Sequence, residues 1–568
     1  MKELQATMAK MTSSLVMMAV LIGYTTALSN NTFPENFTFG VGTSAYQTEG
    51  FGMEDRGENI WDHAILANPK IIEDGSNASS ADEAYIHYKD DFKALAQMGV
   101  THYKLSISWS RMIPTGYTDN IDDFSYGMTH YNVLIREMAQ NNITPVVVIY
   151  HWDLPQPIQD NGGWTNESTI DAFVTYARKV FRYCYKAKYF ITFDNPRAIC
   201  KNGYGDGSLA PFSSNSGIDD YECARILLKA HAAAYKAFKE EFAEQNGAKV
   251  SIALDASWSI PASDSKADID AAERRNLFEF GLYADPIFKT GNWPQVVIDR
   301  IDTRSKAEGR QDSRLPILNQ TERDAIKGTF DFMAIDFFDT KLVADDTEAE
   351  IGTPSYDADL RVKISNDPDW TVDADDHAIA PGSLRNLLKY LKNNYNDPEI
   401  LITASGISDD NGTCNDDHRV TFLEDQLSDV ADAINEDKVN VFGYTYWSLL
   451  DSFEWTKGMI PHFGLYAVHL EFENNSSRVE KKSAKYYALA IKEGKPVDPG
   501  DLTTTTTFST STTTTNAPQP SEETSGPSGA STESTGSTTE GHQSGTGNSY
   551  QPVGPVIFVI SLIFYLLK

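Results

Sequence analysis

Between about Thr32 and Val497, eight short apolar runs alternate with amphipathic helical stretches, and that order leaves few folds open. The candidate strands lie near Phe39–Thr43, Lys104–Ser108, Val146–Tyr150, Phe190–Phe193, Val250–Leu254, Phe332–Ile335, Ile400–Thr403 and Val441–Tyr444. Helices such as Ala81–Met98 and Ile226–Phe242 lie between them. Strands that alternate with helices form parallel sheets, because each crossover needs a helix-sized connection. Eight such units predict an α/β chain with a single (β/α)8 TIM barrel. In that fold a site is built at the carboxy-terminal ends of the strands.

The composition of this segment changes abruptly at its end. From Thr503 the chain runs TTTTTFSTSTTTTNAPQP and continues rich in Ser, Thr, Gly, Pro and Glu to about Ser549. Such a segment buries too little apolar surface to fold, so residues 501–549 read as a disordered, mucin-like stalk. The last stretch, GPVIFVISLIFYLLK, is about a dozen apolar residues, short of the roughly 20 that span a bilayer. With small residues upstream (Ser544 to Ser549), residues 550–568 read as a GPI-anchor signal that is removed, the alternative being a single spanning helix. At the other end Lys2 and Lys10 precede an apolar run from Leu15 to Ile22, then Thr25 and Ala27. Residues 1–27 therefore read as a signal peptide, and 28–500 as the barrel domain.

These signals place the protein on the outer cell surface, and two further features agree. Sequons occur at Asn30, Asn36, Asn77, Asn142, Asn166, Asn319, Asn411, Asn474 and Asn475, making these the candidate glycosylation sites. Four cysteines, Cys184, Cys200, Cys223 and Cys414, allow two bridges in three connectivities. Cys200 and Cys223 are closest to a loop staple, with free buried thiols the other reading. The net charge of −32 and pI near 4.7 argue against a nucleic-acid partner or an anionic membrane surface.

Particular strings narrow the function. FTFGVGTSAYQTEG at Phe37–Gly50, HYKDDFKALAQMGVTHYKLSISWSRMIPTG, PVVVIYHWDLPQ, ADPIF, DSRLPILNQTE, VFGYTYWSLLDSFEW and HFGLYAV follow one another in a recognisable order and spacing. From about Phe33 to Ala490 the chain resembles the family-1 glycoside hydrolases, which include β-glucosidases, lactase, myrosinases and the klotho proteins. The resemblance implies a saccharide-binding pocket. Gln47, His151, Glu454 and Trp447 fall where the family grips the hydroxyls and face of a sugar, with Trp152, Trp455 and Asp194 beside them. Polar partners for vicinal hydroxyls and an indole platform for the apolar ring face are what a sugar site needs. No metal or cofactor is implied.

The same resemblance implies that the catalytic carboxylates are gone. The family's acid/base motif T-F-N-E-P reads Thr192-Phe193-Asp194-Asn195-Pro196, which puts Asn195 in place of glutamate. Its nucleophile motif I-T-E-N-G reads Ile402-Thr403-Ala404-Ser405-Gly406, which puts Ala404 in place of the other. An amide has no proton to give a leaving group, and a methyl group forms no glycosyl ester. The supporting residues differ too. Lys104 stands in place of an arginine, Asp336 of an asparagine and Phe338 of a tyrosine. As a strand neighbour of Asn195, Asp194 is expected to point in another direction, and Asp336 to pair with Lys104. Loss of the nucleophile's side chain is expected to leave a small void lined by Lys104, Phe338 and Ser405. The implied function is a catalytically inactive, glycosidase-like surface protein of receptor or co-receptor type. Its ligand would be a β-glycoside, a glycoconjugate or a protein partner, and the alternative is a residual or rewired β-glycosidase.

Overall fold

The computed structural model describes residues 28–503, apart from 51–55, 80, 246, 348–351 and 472–474. The signal-peptide and anchor readings, and the stalk reading beyond residue 503, therefore lie outside the described residues, while the first three residues assigned to the stalk end a short 3-10 turn, Pro499–Thr503. Eight parallel strands close into one barrel: β1 (Thr38–Gly42), β2 (His102–Ser106), β3 (Thr144–Tyr150), β4 (Tyr189–Asp194), β5 (Lys249–Asp255), β6 (Met333–Asp336), β7 (Ile400–Ser405) and β8 (Val441–Trp447). Each strand pairs with its sequence neighbours, and β8 closes on β1 with Thr38 opposite Gly443 and Gly42 opposite Trp447.

Several bounds differ from expectation, for local reasons. The helix expected from Ala81 begins at Ala84, because Ala81 and Glu83 have positive φ and cannot continue a right-handed helix backwards. The helix expected from Ile226 begins at Asp219. Its first turn carries Asp219, Asp220 and Glu222, which favour the positive end of the helix dipole. The last strand continues past Tyr444 to Trp447, carrying the indole to the rim of the barrel.

The strands turn one face inward and the other toward the helices. Val146, Val148, Ile191, Ala253, Ala334 and Leu401 form an apolar plug inside the barrel. The main core lies between the outer strand faces and the helices, where Trp109 stacks on Tyr176 with centroids 4.8 Å apart. Added elements follow the strands on the carboxy-terminal side, including a three-stranded sheet of Trp258–Pro261, Thr340–Asp345 and Val362–Ser365. The turn after β4 is tied by a Cys200–Cys223 disulfide to the helix Asp219–Glu241. Closing a loop of this length contributes about 3 kcal/mol. Cys184 is buried and unbridged, and its thiol is pushed up to about 12 by burial. Asn30, Asn36, Asn77, Asn142, Asn319 and Asn411 are exposed, and Asn166 is half-buried. No helix among the described residues is long and apolar enough to cross a membrane.

Candidate functional site

The site begins with a buried ion cluster at the carboxy-terminal end of the barrel. Alternation along β2 sends Lys104 inward, where it is almost fully buried. Its Nζ lies 2.7 Å from Asp194 Oδ2 and 3.6 Å from Asp336 Oδ1. Asp194 ends β4 and Asp336 ends β6, and their carboxyls are hydrogen-bonded to each other. The Thr403 hydroxyl donates to Asp336 Oδ1 at 2.6 Å. Burial would raise both acids, but Lys104 holds Asp194 well below the usual carboxylate range. Burial and the neighbouring Asp194 charge push Asp336 far above that range. Burial opposes the charge on Lys104, and the two acids outweigh it. On this floor of the site Lys104 is thus set between an acid that it holds ionised and one whose burial favours the neutral form.

The two positions that the motifs assign to catalytic glutamates sit on either side of this floor. Asn195 has φ +52°, and its Oδ1 accepts from Ala198 N at 3.2 Å, starting the turn that leads to the disulfide. Ala404 is buried on β7 and packs with Trp447, Phe463 and the half-buried Phe338. Of the residues expected around this methyl group, Phe338 packs against the same cluster and Lys104 lies 5.5 Å from the Trp447 ring. Ser405 is not part of it: past a register irregularity in β7, its side chain lies against Tyr444. Phe463, about 60 positions away in the sequence and invisible to local pattern, is a further aromatic neighbour of Ala404. Trp447 is seated by two glycines. A Cβ at Gly42 would lie 2.9 Å from its ring, and one at Gly406 would strike its carbonyl oxygen.

Above the floor stands a polar wall joined to an aromatic one. Gln47 Nε2 donates to Glu454 Oε2 at 2.8 Å, and the Ser452 hydroxyl donates to Glu454 Oε1 at 2.8 Å. The Ser44 hydroxyl holds the other end of Gln47, donating to its Oε1 at 2.6 Å. Burial pushes the Glu454 carboxyl well above its ordinary value. His151, just past β3, stands edge-on to Trp447 and Trp455, at 6.1 and 5.4 Å between centroids. Burial lowers its pKa to about 4, so it is neutral near pH 7, and its Nδ1 has no protein partner. The Trp152 indole donates to the Ala210 carbonyl at 2.7 Å and packs 5.3 Å from Trp455. Trp455 lies 5.0 Å from Trp61 and parallel to Tyr46, two aromatic residues not singled out from the sequence.

A short hairpin, Thr371–Val372 with Ala378–Ile379, supplies one more neighbour that sequence reading missed. His377 lies against Phe338 at 5.8 Å. Burial would lower its pKa, but Asp373 and other nearby acids raise it to about 9, so it is an imidazolium at pH 7. No periodicity marks such a contact, since the hairpin and Phe338 belong to separate loops.

Gln47, His151, Trp152, Asp194, Trp447, Glu454 and Trp455 thus converge with Lys104, Asp336 and Phe338 at one end of one barrel. Known proteins share this architecture. The profile of glycosyl hydrolase family 1 matches residues 29–495. Myrosinase 1 of Brevicoryne brassicae is 38% identical over 470 residues, covering 82% of this chain and 99% of its own. The cytosolic β-glucosidase of Cavia porcellus is 36% identical, covering 81% of this chain and 98% of its own. Among solved structures an aphid myrosinase matches with a TM-score of 0.77 at 36% identity, over 82% of this chain and all of that one. By sequence and by fold alike, the chain belongs to glycosyl hydrolase family 1.

Proposed function

We propose that this family-1 barrel no longer hydrolyses glycosides and instead binds a neutral β-glycoside, free or as the end of a glycoconjugate. The observation that carries the reading is the pair Asn195 and Ala404, at the ends of β4 and β7, where retaining hydrolysis needs an acid and a nucleophile. The nearby acids do not supply substitutes. A hydrolase spaces its two carboxyls by about 5–5.5 Å to retain configuration or about 6.5–9.5 Å to invert it. Asp194 and Asp336 share a hydrogen bond and are committed to Lys104, which leaves no room between them for a water or a sugar carbon. This favours the inactive reading over a rewired glycosidase.

The walls favour a neutral saccharide. Lys104 is paired with both floor acids, His151 is uncharged near pH 7, and Gln47 with Glu454 presents paired hydrogen-bonding groups beside an indole face. Titrating octyl or phenyl β-glucoside into the full-length protein should give weak, saturable binding by calorimetry. Gln47→Ala or Glu454→Ala should weaken it by about ten-fold or more, since each loses a polar contact and strands its buried partner. Undiminished binding in both variants would place the ligand elsewhere and leave a protein partner on the outer barrel surface as the better account.

The proposal extends to location. A leader at 1–27, a Ser/Thr-rich stalk at 501–549 and a short apolar end at 550–568 fit a glycoprotein held on the outer cell surface by a GPI anchor. Phosphatidylinositol-specific phospholipase C should release it from cells that express the full chain. If it stays behind while a control GPI protein is released, a spanning helix is the anchor.

A further inference from the structure

At the amino-terminal end of the barrel, opposite the saccharide site, two helix-to-strand turns stand side by side because β3 and β4 are neighbours. The helix Tyr126–Gln140 turns into β3 through Asn141 and Asn142, and the helix Ser168–Tyr183 leads to β4 through Tyr185 and Lys186. Asn132 Nδ2 donates to the Tyr183 carbonyl at 2.7 Å, and Lys188 N to the Pro145 carbonyl at 3.2 Å, so the two turns are fastened to each other. Between them runs a groove of about 660 Å³, lined by Arg136, Gln140, Asn142, Pro145, Tyr185 and Lys186. Pockets of about 300–1,000 Å³ take a drug-sized ligand, and two linked sugars are of that size.

Two of these residues identify the occupant. Asn142 opens the sequon Asn142-Ile143-Thr144. Its φ is +59°, a left-handed turn that asparagine tolerates. The residue is exposed, and its side chain makes no hydrogen bond among the described residues. The Asn166 side chain, by contrast, is committed at both ends: its Nδ2 donates to the Asn161 carbonyl at 2.6 Å and its Oδ1 accepts from Ser168 N at 3.0 Å. Tyr185 is 38% exposed, with Lys186 Nζ 5.3 Å over one face of its ring. An exposed phenol offers the apolar face of a sugar a platform. Whatever is attached to Asn142 starts inside the groove, so it meets Tyr185 at the high effective concentration of a tethered group.

We propose that this groove seats the protein's own glycan, N-linked at Asn142, with an N-acetylglucosamine of its core stacked on Tyr185. Arg136 and Gln140, one helical turn apart, meet the sugar hydroxyls. In the attachment the Asn142 amide nitrogen bonds to the anomeric carbon of the first sugar and gives up a proton, while the lipid diphosphate that carried the oligosaccharide leaves with the bonding pair. The seated glycan covers the seam between the turns that lead into β3 and β4. The proposal rests on the secretory reading and is independent of the saccharide site.

The test uses full-length protein from a eukaryotic secretory host, kept in detergent. Glycopeptide mass spectrometry is expected to find Asn142 occupied. Peptide N-glycosidase should release that glycan from native Tyr185→Ala about two- to ten-fold faster than from wild type, the effect of one aromatic contact. Tyr185→Phe keeps the ring and should keep the wild-type rate. In the reverse direction, Asn142→Asp removes the sequon and still tolerates the left-handed turn. Tetranitromethane should then nitrate Tyr185 about two- to ten-fold faster than in the glycosylated protein, since the same contact no longer shields the ring. Either rate left unchanged shows a glycan that swings free and overturns the proposal. A vacant Asn142 beside occupied sequons overturns this proposal alone, and vacancy at every sequon overturns the secretory reading with it. Tyr185 and Asn142 are both exposed, so their variants are expected to fold.

Discussion

Wild-type protein incubated with dinitrophenyl β-glucoside should release dinitrophenol no faster than buffer, and returning glutamate at both motif positions should not by itself make a good hydrolase. The reason lies beneath the motifs. A glutamate at 404 enters a cluster of Trp447, Phe463 and Phe338, where a carboxylate needs a cation. Lys104 is the cation at hand, and Asp194 and Asp336 already occupy it. Ala404→Glu therefore competes with two acids for one ammonium, and its own carboxyl is held protonated and poorly nucleophilic. Asn195→Glu/Ala404→Glu should give weak turnover of activated glycosides only. Adding Asp194→Asn frees Lys104 and should raise turnover by a further 10- to 100-fold, roughly the effect of one well-placed electrostatic partner. On substrates whose leaving group needs a proton, variants that carry Asn195→Glu should exceed those that keep Asn195 by about 10²–10⁴. Steady-state rates over a series of aryl leaving groups separate these terms. Substantial wild-type turnover that is abolished by Asp194→Asn or Asp336→Asn would instead establish a working acid pair and end the inactive reading.

The second large effect concerns folding. Lys104→Met should destabilise the barrel by about 3–5 kcal/mol at pH 7, because it leaves a buried carboxylate uncompensated between two strands. The acid pair then adjusts by taking up a second proton, so the loss should shrink as the pH falls through the raised pKa values of the acids. Without Lys104, burial holds both acids above their unfolded values. Their neutral forms favour the fold below the unfolded pKa, and that support is lost as the pH rises through the folded pKa. Lys104→Met/Asp194→Asn should recover most of the stability, since an amide carries no charge to compensate. Denaturant unfolding of the three proteins between pH 5 and 8 measures this. Equal stability of Lys104→Met and wild type at pH 8 would show that the cluster is solvated and that the floor of the site is open to water.

The eightfold alternation of strands and helices was legible from local pattern, because side-chain periods of 2 and about 3.6 residues are set by backbone geometry alone. The motif strings brought out Gln47, His151, Trp152, Asp194, Trp447, Glu454 and Trp455, which lie at strand ends or in the loops that follow them, and that position in a parallel barrel is a matter of chain order. Sequence also identified Asn195 and Ala404, since the side chain at a position needs no structure to be known. Tertiary structure alone decided how Lys104 divides itself: Asp194 and Asp336 lie on strands that β5 separates, and only barrel closure brings both within reach of one ammonium. It also decided that Phe463 fills the neighbourhood of Ala404, that His377 becomes an imidazolium against Phe338, and that Cys200 bonds Cys223. The glycines of β1 show the same division. Their identity is plain in the sequence, but the rings that rest on Gly40 and Gly42 come from β2 and β8, about 60 and 400 residues away. Contacts between such distant residues depend on the register of the closed sheet, which no local periodicity encodes.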